Sequence, residues 1–205
     1  MSYIKGSVVL SLIFVIGCAA APIRYSGFLN DYDSLVPSEV VEGLLVDKNA
    51  NKDIGDYDIF YIEPVVIQFS DHAKGENVDP KKLEELADYF RDQAVNALKQ
   101  KYTMVEEPVD GTLLIRAAIT EVVANKPYFN IHWSTTLAGF GLGGASMEVE
   151  FIDSTTKERI LAVVDARRGK RSHYTKGLTK WGHTEDVINM WIKLLMDQLT
   201  LLHQD

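Results

Sequence analysis

Residues 113–123 are apolar on both sides of a strand-like alternation, with Arg116, Thr120 and Glu121 as the exceptions. A strand with this pattern needs apolar cover on both of its faces, which places it in the interior of a sheet. The sequence therefore predicts that these residues form a central strand.

A hairpin is predicted to follow this strand. Residues 147–151 alternate between apolar side chains and Glu148 and Glu150, the pattern of a half-buried strand. Residues 153–158 are predicted to form a turn, and residues 160–164 the returning arm.

Two helices are predicted to cover the sheet. Asp79 is suited to the N-cap of the first and Pro80 to its first helical position, where the missing N–H costs no hydrogen bond. This helix is expected to end near Gln100, with one apolar face made of Leu83, Leu86, Ala87, Phe90, Ala94 and Leu98. The second is expected to be capped by Thr184, with an apolar face made of Ile188, Trp191, Ile192, Leu195, Leu199 and Leu202.

Shorter strands are predicted over residues 59–69, interrupted or edged at Pro64, and over residues 102–105. The order of strand, helix, several strands and helix predicts an α+β fold: an antiparallel sheet with two main helices packed on it. We expect one domain over residues 39–205. Residues 18–38 are expected to be a tether that packs partly on that domain.

Composition is that of an ordinary globular protein, with 46% hydrophobic and 24% charged residues. The formal net charge of −8 disfavours nucleic acid as a partner. Cys18 is the one cysteine, so no intramolecular disulfide can form and the core alone must hold the fold.

The N-terminus is typical of a secretory signal. Lys5 precedes an apolar run over residues 8–16, which is much shorter than the ~20 residues that a membrane-spanning helix needs. A single membrane-spanning helix is a less favoured alternative, because the apolar run is short for one. We expect residues 1–17 to be a signal peptide and to take no part in the domain.

The sequence VIGC, which ends at Gly17 and Cys18, resembles a bacterial lipobox. This resemblance implies cleavage between Gly17 and Cys18 and lipidation of Cys18, which would anchor the protein to a membrane. Ala19 stands where an Asp typically retains such proteins in the inner membrane, so the resemblance favours the outer membrane, with the domain facing the periplasm. The alternative is a plain signal peptide cleaved within residues 19–21.

Two segments are candidates for contact with a partner or a membrane. Residues 125–144 form a long connection that carries Tyr128, Phe129, Trp133 and Phe140, although these aromatics could instead cover the core or belong to a regular strand. A basic cluster could contact an anionic surface or an acidic partner, or could be a solvated loop; it consists of Arg167, Arg168, Lys170 and Arg171, with Lys176 and Lys180 following.

Enzyme and cofactor signatures are weak. The glycines of residues 139–144 precede a strand-like alternation and not a helix, which disfavours a phosphate-binding loop. The histidines lack zinc-ligand spacing, and no G-x-S-x-G motif is present. We expect no metal, no cofactor and no enzymatic activity.

Three stretches together resemble a family of uncharacterised Gram-negative lipoproteins, domain-of-unknown-function family 3313. They are YSGFLNDYDSLVP from Tyr25, GGASMEVEFIDSTTKERILAVVDARRGKR from Gly143 and TKWGHTEDVINMWIKLLMDQL from Thr179. The likeness spans roughly residues 24–203. Lys157 stands in the hairpin turn where a glycine is expected.

From these features we expect an outer-membrane lipoprotein that acts as an envelope interaction or assembly factor. The alternatives are a carrier of a small ligand or lipid and, less favoured, a hydrolase. A carrier should have an enclosed apolar pocket between sheet and helix, a hydrolase Ser, His and Asp within hydrogen-bond reach, and an interaction factor an exposed aromatic patch.

Overall fold

The computed structural model describes residues 24–41, 43–71, 73–124, 144–168 and 180–203. Within these residues the chain forms an eight-stranded sheet and two α-helices. In chain order the elements are β1 Val36–Pro37, β2 Leu44–Lys48, a 3-10 helix Ile54–Asp56, β3 Ile59–Ile62, β4 Val66–Ile67, α1 Pro80–Leu98, β5 Thr103–Met104, β6 Thr112–Val123, β7 Gly144–Asp153, β8 Arg159–Arg168 and α2 Gly182–Leu202. The predicted α+β class is confirmed.

The sheet has the order β1-β2-β8-β7-β6-β3-β5, and β4 also pairs with β6. The neighbouring pairs β1-β2, β2-β8, β8-β7 and β7-β6 are antiparallel. Strand β3 pairs parallel with both β5 and β6, and β4 pairs parallel with β6. The purely antiparallel prediction is therefore wrong at this end of the sheet. Parallel neighbours need a long crossover connection, and α1 supplies it between β3 and β5.

The predicted interior strand is confirmed as β6. It lies between β7 and β3, and its pairing with β7 runs from Leu113 opposite Asp153 to Val123 opposite Gly144. A register shift interrupts this ladder between Ile119 and Glu121.

Helix α1 begins as predicted. The Asp79 side chain accepts a hydrogen bond from the Lys81 amide at 3.0 Å, and Pro80 is the first helical residue. The predicted apolar face is buried in full: Leu83, Leu86, Ala87, Phe90, Ala94 and Leu98.

Helix α2 begins at Gly182, so the prediction that Thr184 caps it is wrong. Thr184 is fully buried, and its hydroxyl donates to the Gly144 carbonyl oxygen at 3.4 Å. The Thr184 hydroxyl therefore ties the helix to the start of β7 instead of closing its own first turn.

The two faces of the sheet are covered by different parts of the chain. Helices α1 and α2 pack on the face that presents Ile115, Val149 and Phe151. The opposite face is covered by the segment before β1, where Leu29 is 2% exposed and packs with Ala162. The predicted packing of the tether on the domain is confirmed for its described part.

Strand β7 is buried on both faces, which corrects the half-buried prediction. Glu148 is 0% and Glu150 3% exposed. Glutamates ordinarily indicate a solvent face, but here each one is buried with a hydrogen-bonding partner. The predicted turn after β7 is confirmed, and Lys157 adopts a φ of 62° there, the left-handed region that favours glycine.

Within the described ranges, neither α1 nor α2 is long and apolar enough to cross a membrane.

Candidate functional site

Most residues singled out from the sequence lie outside the described residues. This holds for Gly17 and Cys18, for the aromatics Tyr128, Phe129, Trp133 and Phe140, and for Lys170 and Arg171. The backbones of Arg167 and Arg168 end β8 opposite Ala145 and Gly144, while their side chains lie outside the description. These assignments stay predictions.

The described residues instead form an apolar groove between the sheet and helix α2, which we call the α2 groove. Its volume is about 150 Å³. The floor is made by the helix-facing residues of β6, β7 and β8, including Ile115, Ala117, Val149, Phe151 and Val163. Its walls come from the helices, chiefly Phe90, Ala94, Trp191, Ile192 and Leu195.

The groove exists because the helix layer is narrower than the sheet. Helix α2 packs mainly on β7 and β8, whereas β2 pairs with β1 and β8 and extends the sheet beyond the helix. Leu44 and Lys48 of β2 therefore lie at the mouth of the groove. Two small residues add internal room, because Ala117 on β6 and Ala94 on α1 line the groove among larger apolar side chains.

Apolar side chains continue to the rim. Val40, in the segment before β2, is 75% exposed, and Leu202, at the end of α2, is 37% exposed. The polar rim residues include Ser38, Lys52 and Gln198. The α2 groove thus opens to solvent through a border of mixed polarity.

One rim cation is held in an ion pair. The Lys52 ammonium donates to Asp153 Oδ2 at 2.7 Å, and the Tyr57 hydroxyl donates to the same oxygen at 2.8 Å. Hydrogen bonding by Lys52 holds the pKa of Asp153 well below its usual range, and the same bond raises the pKa of Lys52. These groups fix the 3-10 helix against the hairpin at one end of the groove.

A second charged cluster lies on the opposite face of the sheet. The Arg116 guanidinium bonds Glu63 Oε2 at 3.2 Å and Glu150, and its centre lies 5.4 Å from the centroid of the Phe28 ring. Burial raises the pKa of Glu150, while the charge of Arg116 opposes that rise. This cluster holds the segment before β1 on the sheet.

Among the residues that the structure describes, no three or more His, Cys, Asp or Glu side chains lie together as the ligands of a metal ion would. The buried Asp165 accepts a hydrogen bond from the Trp191 indole at 2.7 Å, which connects β8 to α2 near the groove.

Sequence reasoning missed the α2 groove. The sequence patterns place Ala94 on the apolar face of a helix and Ala117 in an interior strand, as the structure has them, but they do not indicate that the two residues line one groove. Their proximity depends on how α1 and α2 lie over the sheet, and no local pattern encodes that placement.

Comparison with known proteins supports the resemblance found in the sequence. The profile of a family described as "Protein of unknown function (DUF3313)" matches residues 24–195. The chain belongs to this family. This DUF3313 chain is also 26% identical over 186 residues to the uncharacterized lipoprotein YdcL of Escherichia coli K12, covering 82% of this chain and 83% of the relative. A protein of the same name from Escherichia coli O157:H7 matches equally.

Solved structures give more distant matches to this DUF3313 chain. A PelC dodecamer from Paraburkholderia phytofirmans matches with a TM-score of 0.44 and 9% identity, over 76% of this chain and 96% of that chain. The hypothetical protein CT253 from Chlamydia trachomatis matches with a TM-score of 0.40 and 9% identity, over 70% and 99%.

Proposed function

We propose that this protein is a lipoprotein of the outer membrane, anchored through Cys18, whose periplasmic domain binds the apolar part of a small ligand or lipid in the α2 groove. The lipobox-like VIGC sequence and the name of the Escherichia coli relative support the anchor. Ala19, in place of a retaining Asp, supports the outer membrane.

The groove itself carries the proposal for the domain. Sites for small molecules are concave and mostly apolar with a few polar groups, and the α2 groove has this character. The feature expected of a carrier is an enclosed apolar pocket between sheet and helix; the α2 groove has this position and this apolar lining, but it opens to solvent at its rim. Removal of apolar ligand surface from water supplies ~25 cal/mol per Å², so no specific polar contact is needed for binding.

We propose binding and not catalysis. The lining is apolar apart from its rim, and the rim carboxylate–ammonium pair of Asp153 and Lys52 is engaged in holding the turn. The Asp53 carboxylate at the rim caps the 3-10 helix by accepting from the Gly55 amide. Each of these polar groups therefore has a structural task.

The test is to fill the groove. In the full chain carrying Cys18→Ser, which leaves no lipid of its own, Ala117→Leu should weaken binding of the neutral fluorophore Nile red by about tenfold or more, because leucine occupies the space of the ligand. Fluorescence titration measures the affinity, and urea denaturation confirms that the variant folds.

Ala97→Leu is the matched control, since Ala97 lies half-buried on α1 outside the groove and should leave the affinity unchanged. Ala94→Leu fills the groove from its helix wall, through a residue on α1 instead of β6. Folded Ala117→Leu and Ala94→Leu proteins that bind Nile red as the parent does would contradict the proposal.

An envelope interaction factor is the second candidate, favoured by the exposure of Val40 and Leu202 at the mouth of the groove. An apolar segment of a partner protein would then be the occupant. A photocrosslinker at Val40 should capture one envelope protein in cells, whereas a crosslinker at Val109, 51% exposed and outside the groove, should not. Equal capture at both positions would argue against this candidate.

A further inference from the structure

This inference rests on the proposed function and narrows the ligand class. We infer that the α2 groove takes a single-chain amphiphile with an anionic head group, whose apolar chain lies in the groove and whose head lies beside Lys48.

The size of the groove limits the ligand to one chain. Pockets for drug-sized ligands measure roughly 300–1,000 Å³. The α2 groove, at about 150 Å³, is smaller than this range. A space of this size takes one benzene-sized ring or the end of a single alkyl chain, with the rest of that chain lying along the open mouth, whereas the two chains of a diacyl lipid do not fit side by side.

Lys48 supplies the charge at the mouth. It is the last residue of β2, lies opposite Leu161 of β8 and borders the groove with an exposed side chain. Across the described part of the chain its ammonium group has no hydrogen-bond or ion-pair partner. A lysine stem can lie along apolar surface while its charge stays in water, which suits a ligand that is apolar at one end and anionic at the other.

The other cations at the groove are already engaged. Lys52 is paired with Asp153, and the Arg91 guanidinium donates to the Ile62 carbonyl oxygen at 3.3 Å. Arg91 has no acidic partner among the described residues, but its guanidinium is held by the Ile62 carbonyl oxygen. Lys48 is therefore the rim cation with neither a hydrogen bond nor an ion pair in the described part of the chain, and we place the anionic head beside it.

The experiment compares decanoate with decanol, which share an alkyl chain and differ in head group. Both are measured by displacement of Nile red from the full chain carrying Cys18→Ser. In the parent, the affinity for decanoate should exceed the affinity for decanol. Because a solvent-accessible ion pair contributes up to about fivefold in affinity, Lys48→Met should weaken decanoate by about three- to fivefold and leave decanol unchanged.

Charge reversal gives the stronger test. Lys48→Glu should weaken decanoate by about tenfold or more at low salt, because attraction becomes repulsion, and the loss should shrink at high salt. Lys81→Glu makes the same charge change on the exposed first turn of α1, away from the groove, and should affect neither ligand.

The two proposals fail in different ways. If Lys48→Met and Lys48→Glu keep the full decanoate preference, or lower decanoate and decanol equally, the anionic head assignment is wrong, although the groove can still bind apolar molecules. If Ala117→Leu leaves both ligands bound, the groove assignment itself is wrong. Dihexanoyl phosphatidic acid, a soluble two-chain anion, should displace Nile red more weakly than decanoate, and stronger displacement would contradict the single-chain assignment.

Discussion

Asp153 shows how one side chain holds a corner of the domain. It accepts hydrogen bonds from the Lys52 ammonium, the Tyr57 hydroxyl and the amides of Thr155 and Thr156, at 2.7, 2.8, 2.8 and 2.9 Å. All four donors favour the ionised carboxylate, so the folded protein holds the pKa of Asp153 well below its usual range.

Asp153→Asn should lower the free energy of unfolding at pH 7 by about 1–3 kcal/mol, because a buried acceptor with charged and neutral donors loses its charge. The pKa is lower in the folded than in the unfolded state, where it is near 3.9. The stabilisation is therefore fully present above about pH 4 and is lost as the pH falls further.

Urea denaturation of both proteins at pH 7 and pH 3 measures this difference. The stability gap between the parent and Asp153→Asn should be smaller at pH 3. A gap that stays constant or widens at low pH would show that Asp153 does not act through its charge.

For single residues, the sequence predicts contacts between neighbours in the chain and misses contacts between distant residues. The turn after β7 and the unusual position of Lys157 follow from neighbouring residues. Lys52 and Tyr57, however, lie 101 and 96 residues from Asp153 along the chain. No spacing in the sequence connects them, because the fold alone brings the 3-10 helix against the hairpin.

The segment before β1 is held on the sheet by hydrogen bonds to a buried glutamate. Glu148 of β7 accepts from the Ser26 amide and the Tyr32 hydroxyl, both at 2.6 Å, and from the Leu29 amide at 3.4 Å. Burial and the Glu148 carboxylate raise the pKa of Tyr32 to about 12. The Tyr25 ring stacks on Tyr32 at 4.3 Å between centroids. Glu148 is thus one of the groups that hold this segment on the sheet, together with Arg116 and the apolar contact of Leu29.

Glu148→Gln should loosen this segment, because an amide is a weaker acceptor than a carboxylate and also brings donors that have no acceptor there. We expect a loss of about 1–3 kcal/mol in stability and faster hydrogen exchange at the amides of Ser26 and Leu29. Glu84→Gln, on the exposed face of α1, is the matched control and should change neither quantity. Unaltered exchange at both amides would contradict the fastening role.

The elements differ in how far local patterns decide them. Helix α1 is predictable because its cap, its proline and its apolar face agree. Helix α2 starts earlier than predicted, and the hydroxyl of Thr184, the predicted cap, instead makes a tertiary contact with Gly144. The alternation in β7 identifies a strand correctly but assigns Glu148 and Glu150 to solvent. The pattern cannot reveal that the segment before β1 donates to Glu148 or that Arg116 of β6 pairs with Glu150.

For the whole molecule, the sequence predicts the α+β class and the family, whereas the parallel pairs and the α2 groove emerge only from the assembled layers. The direction of β3 relative to β6 depends on the crossover through α1. The groove depends on where the helix layer ends on the sheet. Both are relations between elements that lie far apart in sequence.

Two variants test the proposed lipid anchor at Cys18 and the proposed outer-membrane location. Radiolabelled fatty acid should be incorporated into the parent and not into Cys18→Ser, because the thiol is the attachment point. Ala19→Asp should keep the label but move the protein from the outer-membrane to the inner-membrane fraction. Equal labelling of the parent and Cys18→Ser would exclude this anchor, and an unchanged fraction for Ala19→Asp would contradict the proposed sorting.

The attachment of the N-terminal segment to the sheet also limits the distance between the domain and a lipid anchor at Cys18. The chain is held at Ser26, eight residues after Cys18. At about 3.5 Å per residue, these eight residues span no more than about 28 Å, which is less than the ~30 Å thickness of a bilayer core. A lipidated Cys18 would therefore keep Ser26, and the face of the sheet that the N-terminal segment covers, within about 28 Å of the membrane surface.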